Sequence, residues 1–360
     1  MLMIAFLIGL ASVPAHATEE EYLGGLPLVE GPLKVNIGFN LVNITNISER
    51  EETIEFEGAL YLNWMDPRLA YDPEEVGLDN LASLDYTHTP RRIYQGDFAV
   101  KEIFEGWRLH MVMPNGIGDR VTTNMAVSIW PNGRVEYTET FYAMAETPMQ
   151  LRRFPFDVQH LEIFFHPFVY LRDEVVLVPD DNLVRTWQQN LGIAEWVQGA
   201  MVLEERPANI AYFDDSRETV SELMVTIEIT RRPWHVLASI IFPMILLVSL
   251  TWSVFWMDEE SVSDRINITF IGILSVVAYY LVIQDNIPRI DYLTLIDGFI
   301  ITTFLVLSAG VVLTVVMERL HQSGRPQEVG RKVDRVSRWA FPLGYFSISA
   351  IVCLVFFNLS

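Results

Sequence analysis

The chain has 360 residues, 51% of them apolar and only 20% charged, against roughly 25% charged in soluble domains. Its formal charge of −21 argues against a nucleic-acid binder, which needs basic patches, and its single cysteine, Cys353, excludes an internal disulfide framework and a thiolate metal cluster. The acid is concentrated in residues 1–233, with 17 basic and 36 acidic side chains, whereas residues 234–360 carry 8 and 10.

Residues 1–17 read as a signal peptide. An apolar run too short to span a bilayer is followed by Ala15-His16-Ala17, a small-x-small cleavage pattern. Residues 18–233 then read as β structure. Stretches 35–42, 53–64, 160–165, 174–178 and 222–229 alternate apolar with polar residues, as half-buried strands do. Trp130-Pro131-Asn132-Gly133-Arg134 carries the Asn-Gly of a tight hairpin between strands 125–130 and 135–142. About ten short strands without a long amphipathic helix predict an antiparallel β-sandwich.

Past Arg231-Arg232-Pro233 the pattern changes. Four charge-free runs, 236–257, 266–283, 298–317 and 339–357, hold 22, 18, 20 and 19 residues. Each suits a helix crossing a ~30 Å hydrocarbon core. Spans are expected at about 234–257, 266–284, 292–318 and 337–357 within a membrane domain of residues 234–360. Between the last two, residues 319–338 carry six basic side chains against Glu328 and Asp334. The positive-inside rule places that segment in the cytoplasm, and the β domain and C-terminus outside. The fold class is therefore α+β: an extracellular β-sandwich followed by a four-helix membrane bundle.

The second span is the unusual one. Asp264, Asn267, Ile271, Leu274, Ala278, Leu281 and Asp285 recur at steps of three and four, so they share a helical face. The face is acidic at both ends and apolar in the middle. Small and polar residues also collect at ordinary helix–helix contacts. Acid rings around an apolar constriction describe a cation pore that gates by dewetting. Spacing alone leaves both open.

Several motifs resemble the pentameric ligand-gated ion channels. They are Trp64-x-Asp66-x-Arg68-Leu69, Phe154-Pro155-Phe156-Asp157-x-Gln159, Arg231-Arg232-Pro233, Pro243 inside the first span, and the second span from Arg265 to Pro288. Thr147 and Leu161 stand where animal members of the Cys-loop superfamily have two cysteines, so the chain resembles a bacterial member. Val276-Val277-Ala278-Tyr279, Asn286-Ile287-Pro288-Arg289 and Ile296-Asp297-Gly298 are most similar to the amine-gated bacterial branch.

The resemblance implies a homopentamer, with the face above lining a pore for monovalent cations and Leu274 as its gate. It implies coupling through Glu49, Asp157, Arg231 and Pro288. It also implies an agonist pocket between subunits, built from Phe98, Glu102, His166, Phe168 and Tyr212, with Tyr61 from the neighbouring face. Phe98 replaces the usual Trp of the first pocket loop, and Leu223 an aromatic of the third. The agonist is expected to be a small amine, held by cation–π contact, or protons acting through His166 and carboxylates. The setting would be a bacterial inner membrane, its lipids around a multi-pass chain, with the β domain and C-terminus in the periplasm. No cofactor, metal, enzymatic nucleophile or nucleic-acid partner is implied. The paired acids Glu204-Glu205 and Asp214-Asp215 read as solvated loop charge. A periplasmic sensor signalling through its helices without conducting ions is the alternative; residues 319–338 are a short link for an output domain.

Overall fold

The computed structural model describes residues 22–73, 91–183, 194–210, 218–257, 262–284, 292–322 and 327–358. The expected signal peptide, Tyr212, Asp214-Asp215, Asp285 and Pro288 lie outside them. Among the described residues ten strands are seen: β1 Leu33–Ser48, β2 Thr53–Met65, β3 Arg92–Gln95, β4 Met111–Val112, β5 Val121–Ile129, β6 Arg134–Glu146, β7 Val158–Pro167, β8 Val175–Pro179, β9 Trp196–Ile210 and β10 Glu218–Arg231. They form a six-stranded sheet, β3-β5-β6-β2-β1-β8, and a four-stranded sheet, β4-β7-β10-β9. One pairing departs from the antiparallel expectation: β8 lies parallel to β1, with Leu33 opposite Val175.

The inward side chains of the two sheets make one core. Phe39, Phe56 and Phe141 from one sheet and Phe165 from the other close a loop of ring contacts at 5.6–6.2 Å, mostly edge to face. Such pairing adds to the area term that drives the burial. The β5–β6 hairpin turns where the Asn-Gly pair predicts. Gly133 has φ 83°, donates to Trp130 O, and a Cβ there would press on the carbonyl of Asp66. The Trp64-to-Leu69 motif is a fastener. Buried Asp66 accepts from Arg68 Nε and Nη2, both at 2.9 Å, and the same guanidinium donates to Gly25 O at 2.8 Å.

Among the described residues, four helices are long and apolar enough to cross a membrane: Trp234–Trp256, Ser263–Val282, Leu295–Met317 and Lys332–Asn358. The second, third and fourth belong to longer helices, Val262–Gln284, Leu295–Gln322 and Gln327–Asn358, so the last two continue beyond the apolar run expected of them. Tyr345 centres their core, wholly buried among Trp252, Phe299 and Thr303, whose hydroxyl lies 3.1 Å from its own. Pro243 lacks an N–H, so the carbonyl of Ser239 has no helical partner. The turn Leu237–Ile241 widens to a π-helix there, and Tyr279 of the second span donates its hydroxyl to that carbonyl.

Candidate functional site

The second span presents two unlike sides. Arg265, Thr269, Gly272 and Val276 are buried against the rest of the bundle, and a Cβ at Gly272 would collide with Thr251 of the first span. Asp264, Asn267, Ile271, Leu274, Ala278 and Leu281 are all exposed; Leu274 is 69% open where Val276 is 1%. The contrast separates the two meanings of the stripe. It is not a contact with the chain's own helices.

At the end of that span next to Asp264, Arg265 turns inward. Its Nη1 and Nη2 donate to Asp334 Oδ1 and Oδ2 at 3.2 and 3.1 Å, and Nη2 also donates to Met257 O. Sequence reasoning missed Asp334. The signal was an acid inside a basic segment, which a simple charge count absorbs.

Of the residues expected to couple the two domains, Glu49, Asp157 and Arg231 lie together. Arg231 Nη2 lies 2.8 Å from Glu49 Oε1, in the turn between β1 and β2, and Nε lies 2.9 Å from Asp157 Oδ1. Gln159 Nε2 donates to Asp157 Oδ2 at 2.6 Å. The guanidinium is held between the rings of Trp196 at 4.1 Å and Phe154 at 4.7 Å. A buried cation with two carboxylates and two ring faces is tolerable where a bare one is not. Trp196 was not foreseen, since nothing local relates it to Arg231. The same loop reaches the third span: Leu295 N donates to Arg152 O at 3.1 Å, and the Arg152 guanidinium lies 5.2 Å from the Tyr292 ring.

The expected agonist residues are spread over the β domain. Tyr61 stands mid-strand on β2 opposite Thr138, in the six-stranded sheet. Phe98 is open to solvent just after β3, and Phe168 is half-exposed just after β7. His166 is buried, its Nδ1 3.0 Å from the carbonyl of Pro167, so its ring does not face an open pocket. Leu223 points into the core. One chain therefore does not gather these side chains into a single site.

Glu102 lines a cavity of about 820 Å³ with Lys101, Arg108, His110, Arg120 and Glu139. Glu139 is buried and accepts from Thr122 Oγ1 at 2.6 Å, Tyr137 Oη at 3.2 Å and Arg120 Nη2 at 3.2 Å. Burial, then the Glu139 carboxylate, pushes the Tyr137 phenol up from its ordinary value. Burial, then the Arg120 cation, pushes His110 down. The His110 ring meets Phe168 edge to face at 5.8 Å. Glu205 is likewise structural: burial raises it, but hydrogen bonds from Arg172 and Ser221 outweigh that and hold it below the carboxylate range.

Two family models match. Residues 26–233 match the neurotransmitter-gated ion-channel ligand binding domain, and residues 240–328 the neurotransmitter-gated ion-channel transmembrane region. Among curated proteins, a proton-gated ion channel of Gloeobacter violaceus is 26% identical over 92% of this chain and 86% of its own length. Acetylcholine receptor subunit beta of Xenopus laevis is 24% identical over 80% of the chain and 56% of its length. The pH-sensitive chloride channel 2 of Drosophila melanogaster is 22% identical over 77% and 52%.

Proposed function

Because the chain belongs to the neurotransmitter-gated ion-channel family, the pentameric Cys-loop superfamily of ligand-gated channels rather than enzymes, we propose that it assembles as a homopentamer that conducts monovalent cations. The observation that carries this reading is the exposed stripe of the second span, with Asp264 at one end and Leu274 in the middle. Placed around an axis, the stripe gives a narrow path whose mouth concentrates cations and whose centre sheds water when closed. Asp285 would add a second ring of acid at the other mouth.

Two stimuli fit: a small cationic amine, or protons. Phe98, Phe168, Tyr61 and Tyr212 supply ring faces for a cation between subunits. Relatives named as proton-gated and pH-sensitive channels favour the proton, and His110 in the cavity beside Glu102 gives it a group to act on. The basic segment 319–338 supports a cytoplasmic link, with the β domain and C-terminus in the periplasm of a bacterial inner membrane. One relative is named a chloride channel, so selectivity is tested on this chain itself. Purified protein in planar bilayers is challenged with primary amines, then with pH steps, in a potassium chloride gradient. Current reversing near the potassium equilibrium potential supports the reading. Reversal near that of chloride overturns its cation part, and silence to both stimuli overturns its gating part.

A further inference from the structure

We propose that Asp334, on the fourth span and away from the pore face, sets charge selectivity at the pore mouth by neutralising Arg265, leaving Asp264 as the net charge an ion meets there. Asp264 and Arg265 are consecutive, so their Cα atoms are ~3.8 Å apart and their charges are opposite. Asp264 is exposed on the stripe while Arg265 is buried behind it. A guanidinium does not lose its proton in a protein. Left unpaired, a ring of Arg265 charges would stand directly behind the ring of Asp264 charges and cancel much of its field.

Asp334 prevents this. Its carboxylate meets the guanidinium fork to fork, at 3.2 and 3.1 Å, with the two side chains 3% and 7% exposed. A bidentate pair of this kind is both directional and strong. Shielded from water and salt, it presents a small dipole instead of a cation. The lower end of the bundle holds the geometry in place: Arg265 also donates to Met257 O, and Arg338 Nε donates to Phe255 O at 2.9 Å. Lys332 and Arg335 of the fourth span are exposed, so the buried Asp334 carboxylate is matched by Arg265 rather than by them. Asp258, Glu259 and Glu260 lie outside the described residues. In sequence they fall between the first two spans. The inference rests on the second span lining the pore, and its sign does not depend on which ion the wild type prefers.

The test is the reversal potential of the full-length channel in a potassium chloride gradient. Asp334→Asn should shift it toward chloride, a fall of about two- to tenfold in the cation-to-anion permeability ratio. Removing both charges, in Asp334→Asn with Arg265→Gln, should return it to the wild-type value. A merely structural pair predicts the opposite, with the double variant at least as perturbed as the single one. An unmoved Asp334→Asn, or a double variant shifted as far as the single, overturns the proposal. If Asp334→Asn does not assemble, Arg265→Gln and the double variant decide, and a shift toward chloride in either overturns it. A chloride-selective wild type overturns the cation reading above and leaves this signed shift to be measured. A wild type that conducts nothing overturns both.

Discussion

Tyr292 and Leu151 lie 141 residues apart in the chain, and the tyrosine hydroxyl accepts the Leu151 N–H at 3.1 Å. The same hydroxyl lies 3.5 Å from Met149 O as a donor. It thereby ties the Phe-Pro-Phe-Asp loop of the β domain to the chain entering the third span. The same loop also holds the Leu295 N–H through Arg152 O.

Tyr292→Phe keeps the ring and removes the tie. Leu151 is buried, so its N–H loses a partner worth roughly 0.5–1.5 kcal/mol. The stimulus midpoint should rise about two- to tenfold with an unchanged reversal potential. Dose–response recordings check this, and a shift in ion selectivity would contradict it.

Arg231→Ala leaves Asp157 and Glu49 facing each other without their cation, at about 3–5 kcal/mol where the site is dry. The expected result is a channel that assembles poorly or does not open. Arg232, exposed and bonded through Nη1 to Ala194 O, should tolerate alanine. Size-exclusion profiles and currents for the two variants, measured side by side, separate the roles.

If the second span lines a pore as proposed, Leu274→Ser lowers the cost of wetting a ring of leucines at its apolar middle. Each exposed leucine in that ring carries roughly 1.5–3 kcal/mol of apolar area to be hydrated on opening. Basal leak and a lower stimulus midpoint are expected. A packing residue would instead show weaker assembly with an unchanged midpoint, so the recordings are made on material confirmed as pentameric.

His110 gives the β domain a pH dependence of known sign. Burial first, then Arg120 and Arg108, hold it below its ordinary value of 6.5, with Glu139 opposing. The folded state then binds fewer protons than the unfolded chain. Stability is intact above 6.5, and is lost as pH falls from there through the lower folded value. His110→Gln should flatten that loss. Melting temperatures of both proteins between about pH 7.5 and 5 read it out.

The parts that could be read from the sequence are those with a local period. The second-span stripe follows from unbroken helical spacing between Asp264 and Leu281, and the β5–β6 hairpin from one Asn-Gly pair. β9 was missed because it is an edge strand with Pro207 in it and is open to solvent along most of its length, so its alternation is weak. The parallel β1–β8 pair leaves no local mark. His166 reads as a pocket residue because its burial arises where β4 closes over the end of β7, a tertiary effect. Asp334, Trp196 and Tyr292 find their partners across long stretches of chain, and each looks ordinary in its own segment.

Thr147 Oγ1 accepts the Glu162 N–H at 3.0 Å, with Leu161 buried beside it, so a hydrogen bond joins the two ends of the Phe-Pro-Phe-Asp loop where a cystine would otherwise stand. With Cys353 as the chain's sole thiol, closing that loop involves no electron transfer. The Phe-Pro-Phe-Asp loop can therefore close without a thiol oxidase or disulfide isomerase, and thiol reductants leave it intact. A cell-free extract supplied with lipid therefore needs no added oxidant to close this loop.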